Sequence, residues 1–384
     1  MLGLGLGLQK QIMMAGKMQP IATFTRNSPA YLSDGTQVAA NKPRFEPGKF
    51  GKAIMVEEGT TNLQPDPNFD NGMTGKKSYD WGDSGTVTAS NGICTMDTSD
   101  SAYPIALIVP QVAITADTGA HTVSVKCRSA NGKDAVVLVH MGVSYKSLGV
   151  APASGEWVIL SATYNNGEYT TKPAQHIRIE AGQKLQIDWI QTEQKPYATS
   201  FIDDTRSPES LTIPTAGVLN PQEGTIEIIC MKPKYLNYNA RVLWVEKESS
   251  RFGIHDDPSG GLVWTYNSTG TQLGAGQLLE GQWHYLAMSW NRDEGWAKCY
   301  VDGNHIRTIV FEPGTNPGFV GSELLGIGSR PAYADLYFNG FFDDLRISSR
   351  ARSDEEILAA YQSGQPLQWD EWTTYKADFD GKIR

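Results

Sequence analysis

The sequence contains few cysteines, few histidines and no long apolar run. Its four cysteines lie far apart without a CxxC pair, so we expect neither a disulfide scaffold nor a cysteine zinc site. The six histidines show neither HxH nor HxxxH spacing, and a metal site would therefore require distant segments to meet. No apolar stretch approaches the roughly 20 residues that span a bilayer, so membrane insertion is not expected.

Basic residues are also in the minority. The 384 residues include 33 lysines and arginines against 42 aspartates and glutamates, which leaves a formal net charge of -9. A surface of this sign repels phosphate backbones, so nucleic acid is not an expected partner.

The familiar catalytic signatures are missing from the sequence. There is no G-x-S-x-G elbow, no P-loop and no G-x-G-x-x-G before a helix. A glycanase built on a sandwich needs two carboxylates about 5 Å apart, whereas Glu227 is a single carboxylate with apolar neighbours beyond it. We predict that the protein is not an enzyme and requires no cofactor.

Short runs of β-branched and aromatic residues recur along the chain, separated by turn-forming residues that include many of its 39 glycines and 20 prolines. Many short strands at this spacing are typical of β-sandwiches. One short helix is predicted near the end, because Ser353 and Glu356 form a capping box and Gly364 supplies a C-terminal stop. The predicted fold class is all-β, with two β-sandwich (jelly-roll) domains.

Composition also suggests where the domains begin and end. The predicted segments are an N-terminal attachment arm at 1–20, a loop and hairpin segment at 21–62, a first sandwich at 63–200, a linker at 201–216, a second sandwich at 217–364 and a C-terminal arm at 365–384.

The second sandwich carries an ordered series of motifs. They are Trp283-His-Tyr-Leu-Ala-Met-Ser-Trp290, the hairpin Ala297–Ile306 with Tyr300-Val-Asp-Gly303, Phe341-Phe-Asp-Asp-Leu-Arg-Ile347, and Ser349–Ile357. In this order they resemble the laminin-G-like, concanavalin A-like lectin fold. The resemblance covers about residues 217–364 and implies a sandwich that ends in one short helix.

The first half of the chain carries a different resemblance. Phe24-Thr-Arg-Asn-Ser-Pro-Ala-Tyr31, Val56-Glu-Glu-Gly-Thr-Thr-Asn-Leu63 and Tyr197-Ala-Thr-Ser-Phe-Ile202 resemble segments of bacteriophage and prophage structural proteins. In that family such segments bracket a jelly roll similar to a carbohydrate-binding module. The resemblance implies a tail, baseplate or head-fibre component of a virion.

Two sets of residues are candidates for binding. Asp343 shares a strand face with Leu345 and Ile347, and a buried carboxylate must be paired or bound to a metal. The lectin-fold resemblance makes Asp343 and Asp344 candidates for structural calcium, with pairing to arginine or backbone amides as the alternative. Aromatic rings near predicted turns are candidates for sugar stacking, with core packing as the alternative for each: Trp81, Tyr145, Trp264, Tyr266, Trp290 and Trp296. Trp264 and Tyr266 are the pair that we select.

The two ends of the chain are candidates for assembly. Alternating leucines in the N-terminal Gly-Leu repeat form an apolar stripe that would become ordered by adding to a neighbour's sheet. Aromatic residues punctuate the C-terminal arm and suggest docking onto another protein. Disorder is the alternative for both ends. The assembly residues are Leu2, Leu4, Leu6, Leu8, Trp369, Trp372, Tyr375 and Phe379.

The function predicted from these observations is that of a non-enzymatic virion structural protein, assembled in the host cytoplasm. Its partners would be other virion proteins and sister subunits in a homo-oligomer, and its sandwiches would face host cell-surface glycan. One alternative is a bacterial surface or secreted carbohydrate-binding protein. A more distant alternative is a glycanase on a concanavalin A-like fold.

Overall fold

The computed structural model describes residues 13–14, 17–18, 22–82, 84–110, 119–169, 174–232, 240–247, 250–257, 261–272, 278–331, 333 and 335–379. The chain forms two compact units. One, here the inserted unit, is the continuous stretch Gly59–Arg206. The other, here the split unit, consists of Met1–Glu58 together with Ser207–Arg384.

Strands account for all but one of the elements in the described residues. The first segment of the split unit contains β1 (Met13–Met14), β2 (Lys17–Met18), β3 (Thr23–Thr25), β4 (Ala30–Tyr31), β5 (Gln37–Val38), β6 (Arg44–Pro47) and β7 (Lys52–Val56). The inserted unit contains β8 (Thr60–Thr61), β9 (Lys77–Asp80), β10 (Thr86–Ser90), β11 (Ile93–Asp97), β12 (Ile105–Pro110), β13 (His121–Ser129), β14 (Ala135–His140), β15 (Tyr145–Ala151), β16 (Val158–Tyr164), β17 (Ala174–Ile179), β18 (Lys184–Glu193) and β19 (Thr205–Arg206). The second segment of the split unit contains β20 (Ser210–Pro214), β21 (Glu223–Met231), β22 (Ala240–Lys247), β23 (Ser250–Asp257), β24 (Gly261–Tyr266), β25 (Thr269–Gln272), β26 (Trp283–Asn291), β27 (Trp296–Val301), β28 (Asn304–Val310), β29 (Leu324–Ile327), β30 (Gly340–Ser348), helix α1 (Asp354–Gln362) and β31 (Thr373–Ala377).

The inserted unit is a sandwich of two five-stranded antiparallel sheets. Their strand orders are β10-β11-β18-β13-β16 and β15-β14-β17-β12-β9. Strand β14 shows the alternation that builds such a sheet, with Ala135, Val137 and Val139 buried and the residues between them half-buried. One face of each sheet therefore fills a shared apolar core, and the other face is left for solvent.

The split unit contains a larger pair of sheets. A seven-stranded sheet has the order β25-β24-β23-β22-β29-β20-β3, and an eight-stranded sheet has the order β28-β27-β26-β21-β30-β7-β6 with β31 attached to β30. The predicted helix is confirmed: Ser353 caps α1 and exchanges hydrogen bonds with Glu356 in a capping box. Ile357 of this helix packs with Tyr285 and Tyr300 of the eight-stranded sheet, so the helix belongs to the sandwich.

The segment boundaries differ from those that composition suggests. The stretch 21–62 is not a separate hairpin segment, since β3 pairs with β20 and β7 pairs with β30. The stretch 201–216 is not a linker, since Thr205–Arg206 pairs with Thr60–Thr61 in the inserted unit and Ser210–Pro214 is a strand of the seven-stranded sheet. Long-range pairing uses backbone groups that every sequence carries, so composition does not reveal it.

The C-terminal residues do not form an arm outside the sandwich. Thr373–Ala377 pairs with the second half of β30, and Tyr375 and Phe379 are buried in the split unit. Trp369 is half-buried, and Trp372 is exposed. The prediction that these aromatics dock onto another protein is wrong for Tyr375 and Phe379, because their rings complete the domain's own core. The predicted N-terminal assembly residues fall outside the described part of the chain: Leu2, Leu4, Leu6 and Leu8.

The four cysteines are buried and unpaired. Among the described residues, no helix has the length and apolar character needed to cross a membrane.

Candidate functional site

The outer face of the sheet β15-β14-β17-β12-β9 gathers most of the inserted unit's exposed aromatic side chains. Residues paired across neighbouring strands share a face, so the register defines which side chains meet. His140 pairs with Tyr145 on one side and with His176 on the other. In the next row, Ala106 pairs with Arg178 and with Tyr79.

Two rings at one edge of this face form an aromatic platform, which consists of Tyr79 and Trp81. They are 52% and 41% exposed. The two rings meet edge to face, with 4.7 Å between their centroids. Nearby, the Tyr103 ring is 52% exposed and lies so close to Gly82 that no Cβ would fit there. A cluster of exposed rings of this kind is characteristic of a binding surface.

Arg178 lies between the platform and Tyr145. Its guanidinium carbon is 5.2 Å from the ring centroids of both Trp81 and Tyr145, and its Nη2 is 3.0 Å from Oε2 of Glu180. Ala106 lies between Arg178 and Tyr79 in the same row and is fully buried, so the larger side chains cover it. The face therefore combines open apolar rings with a planar cation that donates several hydrogen bonds.

Two histidines complete the face. The rings of His140 and His176 stack with 5.3 Å between centroids. Burial lowers the pKa of both imidazoles, and the neighbouring His140 lowers the pKa of His176 further, so both rings are neutral at pH 7. The Gly142 amide donates to Nδ1 of His140 at 3.1 Å, which assigns the ring proton to Nε2. His140 thus offers a donor to a ligand and no free nitrogen to a metal.

The two aromatic residues selected from the sequence are not on this face. Trp264 and Tyr266 of the split unit are fully buried. The Trp264 indole donates to the carbonyl of Ala287 at 3.2 Å, and the Tyr266 ring stacks on Phe311 with 4.0 Å between centroids. The prediction that they stack on sugar is therefore corrected, since neither ring has an open side.

Asp343 and Asp344 do not fit a calcium site. Oδ2 of Asp343 accepts the Phe50 amide at 2.7 Å, and Oδ2 of Asp344 accepts the Leu367 amide at 2.5 Å. Oδ1 of Asp344 lies 3.2 Å from Nζ of Lys376, and burial nevertheless raises the pKa of Asp344 to about 6. No group of three or more His, Cys, Asp or Glu side chains in the described residues could hold a metal ion. The two carboxylates hold backbone and lysine partners in place.

Glu227, the carboxylate considered for glycanase chemistry, is completely buried. Its two oxygens accept from Arg346 at 2.6 Å each, and Tyr285 donates its hydroxyl proton to Oε1 at 2.6 Å. A substrate on the surface cannot reach it. Its role is to neutralise buried arginine.

The residues of the phage-like motifs also have structural roles. In the split unit, Arg26 and Arg44 share the buried carboxylate of Glu209 at 2.7 and 2.8 Å, and Arg44 also pairs with Glu57 at 2.8 Å. In the inserted unit, the Asn62 side chain donates to the carbonyls of Ile190, within β18, and of Ile202. These motifs stabilise the segments in which they occur, and they are not an exposed site.

Sequence comparison supplies a family for part of the chain. Residues 205–358 match the concanavalin A-like lectin/glucanases superfamily. Comparison with curated protein sequences finds no match.

Many solved structures are similar to parts of this chain. One is the carbohydrate-binding module of a Ruminococcus gnavus sialidase bound to α2,3-sialyllactose: 18% identity, TM-score 0.32, 36% of this chain and 83% of that chain. Another is domain 4 of a Geobacillus stearothermophilus arabinanase in complex with arabinotriose: 20% identity, TM-score 0.32, 42% and 79%. A third is the enzymatically active domain of tailspike protein 2 of bacteriophage CBA120: 12% identity, TM-score 0.34, 46% and 30%.

The family match and the two large antiparallel sheets agree for the second half of the chain. Its C-terminal part is a concanavalin A-like domain.

Proposed function

We propose that the chain is a carbohydrate-binding protein, and that it binds glycan on the outer face of the sheet β15-β14-β17-β12-β9. The observation that carries the proposal is the aromatic platform beside Arg178. Tyr79 and Trp81 expose large apolar ring surface at one edge of this sheet. Water solvates these rings poorly, and a ligand with flat apolar patches and hydroxyl rims would cover them.

Each group of the face has a part in this binding. The C–H side of a sugar ring stacks on Trp81 or Tyr79, and the guanidinium of Arg178 donates to ring hydroxyls from beside the stack. Nε2–H of His140 and the hydroxyl of Tyr145 lie on the far side of Arg178 and extend the face toward a second sugar. An open, shallow face with several rings suits a chain of sugars rather than a single one.

The test is a binding measurement with a single matched control. Glycans retained by the wild-type chain on a glycan array are titrated calorimetrically against Trp81→Ala. We expect a loss of about tenfold in affinity, close to 1.4 kcal/mol. Trp157→Ala is the control, because Trp157 is a half-buried tryptophan of the same unit that also lies beneath an arginine, with Arg128 4.7 Å from its centroid. An equal loss in both variants contradicts the proposed face.

We also propose that the protein is a bacteriophage virion component that binds glycan without cleaving it. The phage-like segments 24–31, 56–63 and 197–202 support this proposal. The buried position of Glu227 supports the absence of cleavage at that residue. The second candidate is a bacterial surface or secreted carbohydrate-binding protein, which would use the same face.

Oligomeric state separates the two candidates. A virion component forms a defined oligomer, and deletion of residues 1–12 disperses it in size-exclusion chromatography with light scattering. A wild-type chain that remains a single copy and still binds glycan favours the bacterial candidate. Release of reducing sugar from the bound glycan would instead show a glycanase. Deletion of 366–384 is unsuitable as a test, since it removes β31 from the sheet.

A further inference from the structure

The outer face of the seven-stranded sheet in the split unit carries a second cluster of unusual composition. Leu243 pairs with Ile254, which pairs with Trp264, and the Trp264 indole reaches the carbonyl of Ala287 in the eight-stranded sheet. This row therefore faces the core. Trp244, the next residue along β22, faces away from the core.

Trp244 lies flat on the sheet because its neighbours across the strands are glycines. It pairs with Gly253 on one side and with Gly326 on the other, and a Cβ at Gly253 would lie 3.0 Å from the indole. The guanidinium carbon of Arg241 sits 4.1 Å from the centroid of the ring. The indole is thus enclosed between backbone and arginine, and it is fully buried although it lies outside the core.

A second arginine–aromatic stack lies beside the first. The guanidinium carbon of Arg330 is 4.0 Å from the centroid of Tyr333, and Arg330 makes a two-pronged bond to Asp335 at 2.8 and 2.6 Å. Tyr333 is 62% exposed. The Tyr333 ring is therefore open to solvent, while Asp335 holds the stacked guanidinium of Arg330 in place.

The carboxylate of Glu246 joins the two stacks to a third arginine. Glu246 accepts the Trp244 indole proton at 3.1 Å and lies 3.6 Å from Arg330 and 3.4 Å from Arg251. Arg251 is about half exposed. We name the set Arg241, Trp244, Arg251, Arg330 and Tyr333 the arginine face.

The arginine face places three guanidinium groups beside the carboxylates of Glu246 and Asp335. Burial, with Arg330 and Arg251 nearby, lowers the pKa of Arg241 to about 10. Burial and Arg241 together lower the pKa of His255, the residue opposite Arg241, to about 3, although Asp257 opposes the shift. Because Arg330 and Arg251 repel Arg241, a carboxylate placed among these three guanidinium groups would reduce that repulsion.

We propose that the arginine face is a second binding site, separate from the aromatic platform, and that it takes a carboxylate carried on a polysaccharide. A carboxylate would bridge the guanidinium groups of Arg251 and Arg330, which lie on either side of Glu246, while its sugar ring covers Tyr333. Arginine recognises carboxylates through paired N–H donors. The exposed ring of Tyr333 favours a sugar over a bare phosphate backbone.

The experiment is affinity electrophoresis of the full chain in gels that contain polygalacturonate, with neutral dextran as the reference. Polygalacturonate should retard the wild type, and the double variant Arg251→Gln/Tyr333→Ala should lose about tenfold in affinity. Both positions are exposed, so the variant is expected to fold, which its melting temperature checks. Arg307→Gln is the matched control, because it removes the same charge from an exposed arginine on β28 of the other sheet.

Several outcomes overturn the proposal. An equal loss with Arg307→Gln would show that only the net charge matters. A loss with Trp81→Ala and none with the double variant would place acidic glycan on the aromatic platform instead. Tighter binding of a DNA duplex or of dextran sulfate than of polygalacturonate would assign the face to phosphate or sulfate. Unchanged affinity in the double variant rejects the site outright.

Discussion

One tryptophan in each unit illustrates two opposite environments, one exposed and one buried. In the inserted unit, Trp81 stands on the outer face with its ring 41% exposed, and in the split unit Trp264 lies fully buried between the sheets. Trp81 directly follows strand β9, and Trp264 lies within strand β24. The difference lies in which face of a sheet the residue occupies, and that face is set by register and by what packs against it.

The same contrast holds for charge. The split unit buries the cluster of Arg26, Arg44, Glu57 and Glu209, whose side chains are nearly inaccessible. The inserted unit places its pair of Arg178 and Glu180 on the proposed binding face, within reach of solvent. Buried pairs stabilise by avoiding an uncompensated charge, whereas exposed pairs contribute little to stability and remain available to a ligand.

Glu209→Ala should have the largest effect on stability. Its loss leaves Arg26 and Arg44 buried without their shared carboxylate, and breaking a buried pair costs about 3–5 kcal/mol. Urea unfolding of the full chain measures the change. Glu180→Ala is the comparison, and we expect at most about 1 kcal/mol from it because it is an exposed pair. If Glu209→Ala and Glu180→Ala lowered the free energy of unfolding equally, the buried and exposed ion pairs would not differ as described.

Trp264→Ala should have the second largest effect. It should lower the free energy of unfolding by about 3 kcal/mol or more, because it creates a cavity in the split unit. Trp81→Ala should change the free energy of unfolding by less than about 0.5 kcal/mol while it weakens glycan binding. Differential scanning calorimetry on both variants compares them. If Trp81→Ala destabilised the protein as much as Trp264→Ala, the platform would be part of a core rather than a binding surface.

Acid should destabilise the split unit through His255. The pKa of this imidazole is about 3 in the folded protein, against 6.5 for an unperturbed histidine in the unfolded chain. Between these values the unfolded chain takes up a proton that the folded one refuses, so stability falls as the pH decreases. The slope is at most about 1.4 kcal/mol per pH unit, which gives about 2 kcal/mol between pH 6.5 and 5.

Unfolding at several pH values in wild type and His255→Gln isolates this effect. The variant should lose stability less steeply over the same window. If the free energy of unfolding depended on pH equally in the wild type and in His255→Gln, the role assigned to His255 would be contradicted.

The effect of Asp344 on stability has the opposite sign. Its pKa is raised to about 6 in the folded protein, so the folded state binds this proton more readily than the unfolded chain. Stability therefore rises through this group as the pH falls from 6 toward 4.

The parts of the fold that local sequence controls are predicted correctly. Alternating strand patterns indicate the all-β class, and Ser353 and Glu356 define the start of α1 because a capping box involves four consecutive residues. Of the concanavalin A-like motifs, those in β26, β27 and β28 lie in consecutive hairpins, whereas the motif in β30 pairs with the distant strands β21 and β7. By contrast, β3 and β7 are recognisable as members of the split unit only once their partners β20 and β30 are known.

The candidate site shows the same limit. Trp81 and Tyr145 are visible in the sequence as rings near turns, but Tyr79 and Arg178 carry no comparable signal. Arg178 is about 100 positions from Tyr79, and the two become neighbours because both flank Ala106 in the sheet register. Conversely, Trp264 and Tyr266 look like surface rings from their neighbours and are buried by strands far away in the chain.

The amino-acid sequence alone set the composition and the local structure of this protein. It specifies an acidic, aromatic-rich chain with a β pattern, one capped helix and several locally folding motifs. The packing of the sheets decided which of these residues are buried and which are exposed. Register and the pairing of distant strands chose which rings face solvent, which carboxylates are enclosed with arginine and which chain segment completes a sheet. These choices depend on contacts between residues far apart in sequence, and no short window of residues contains them.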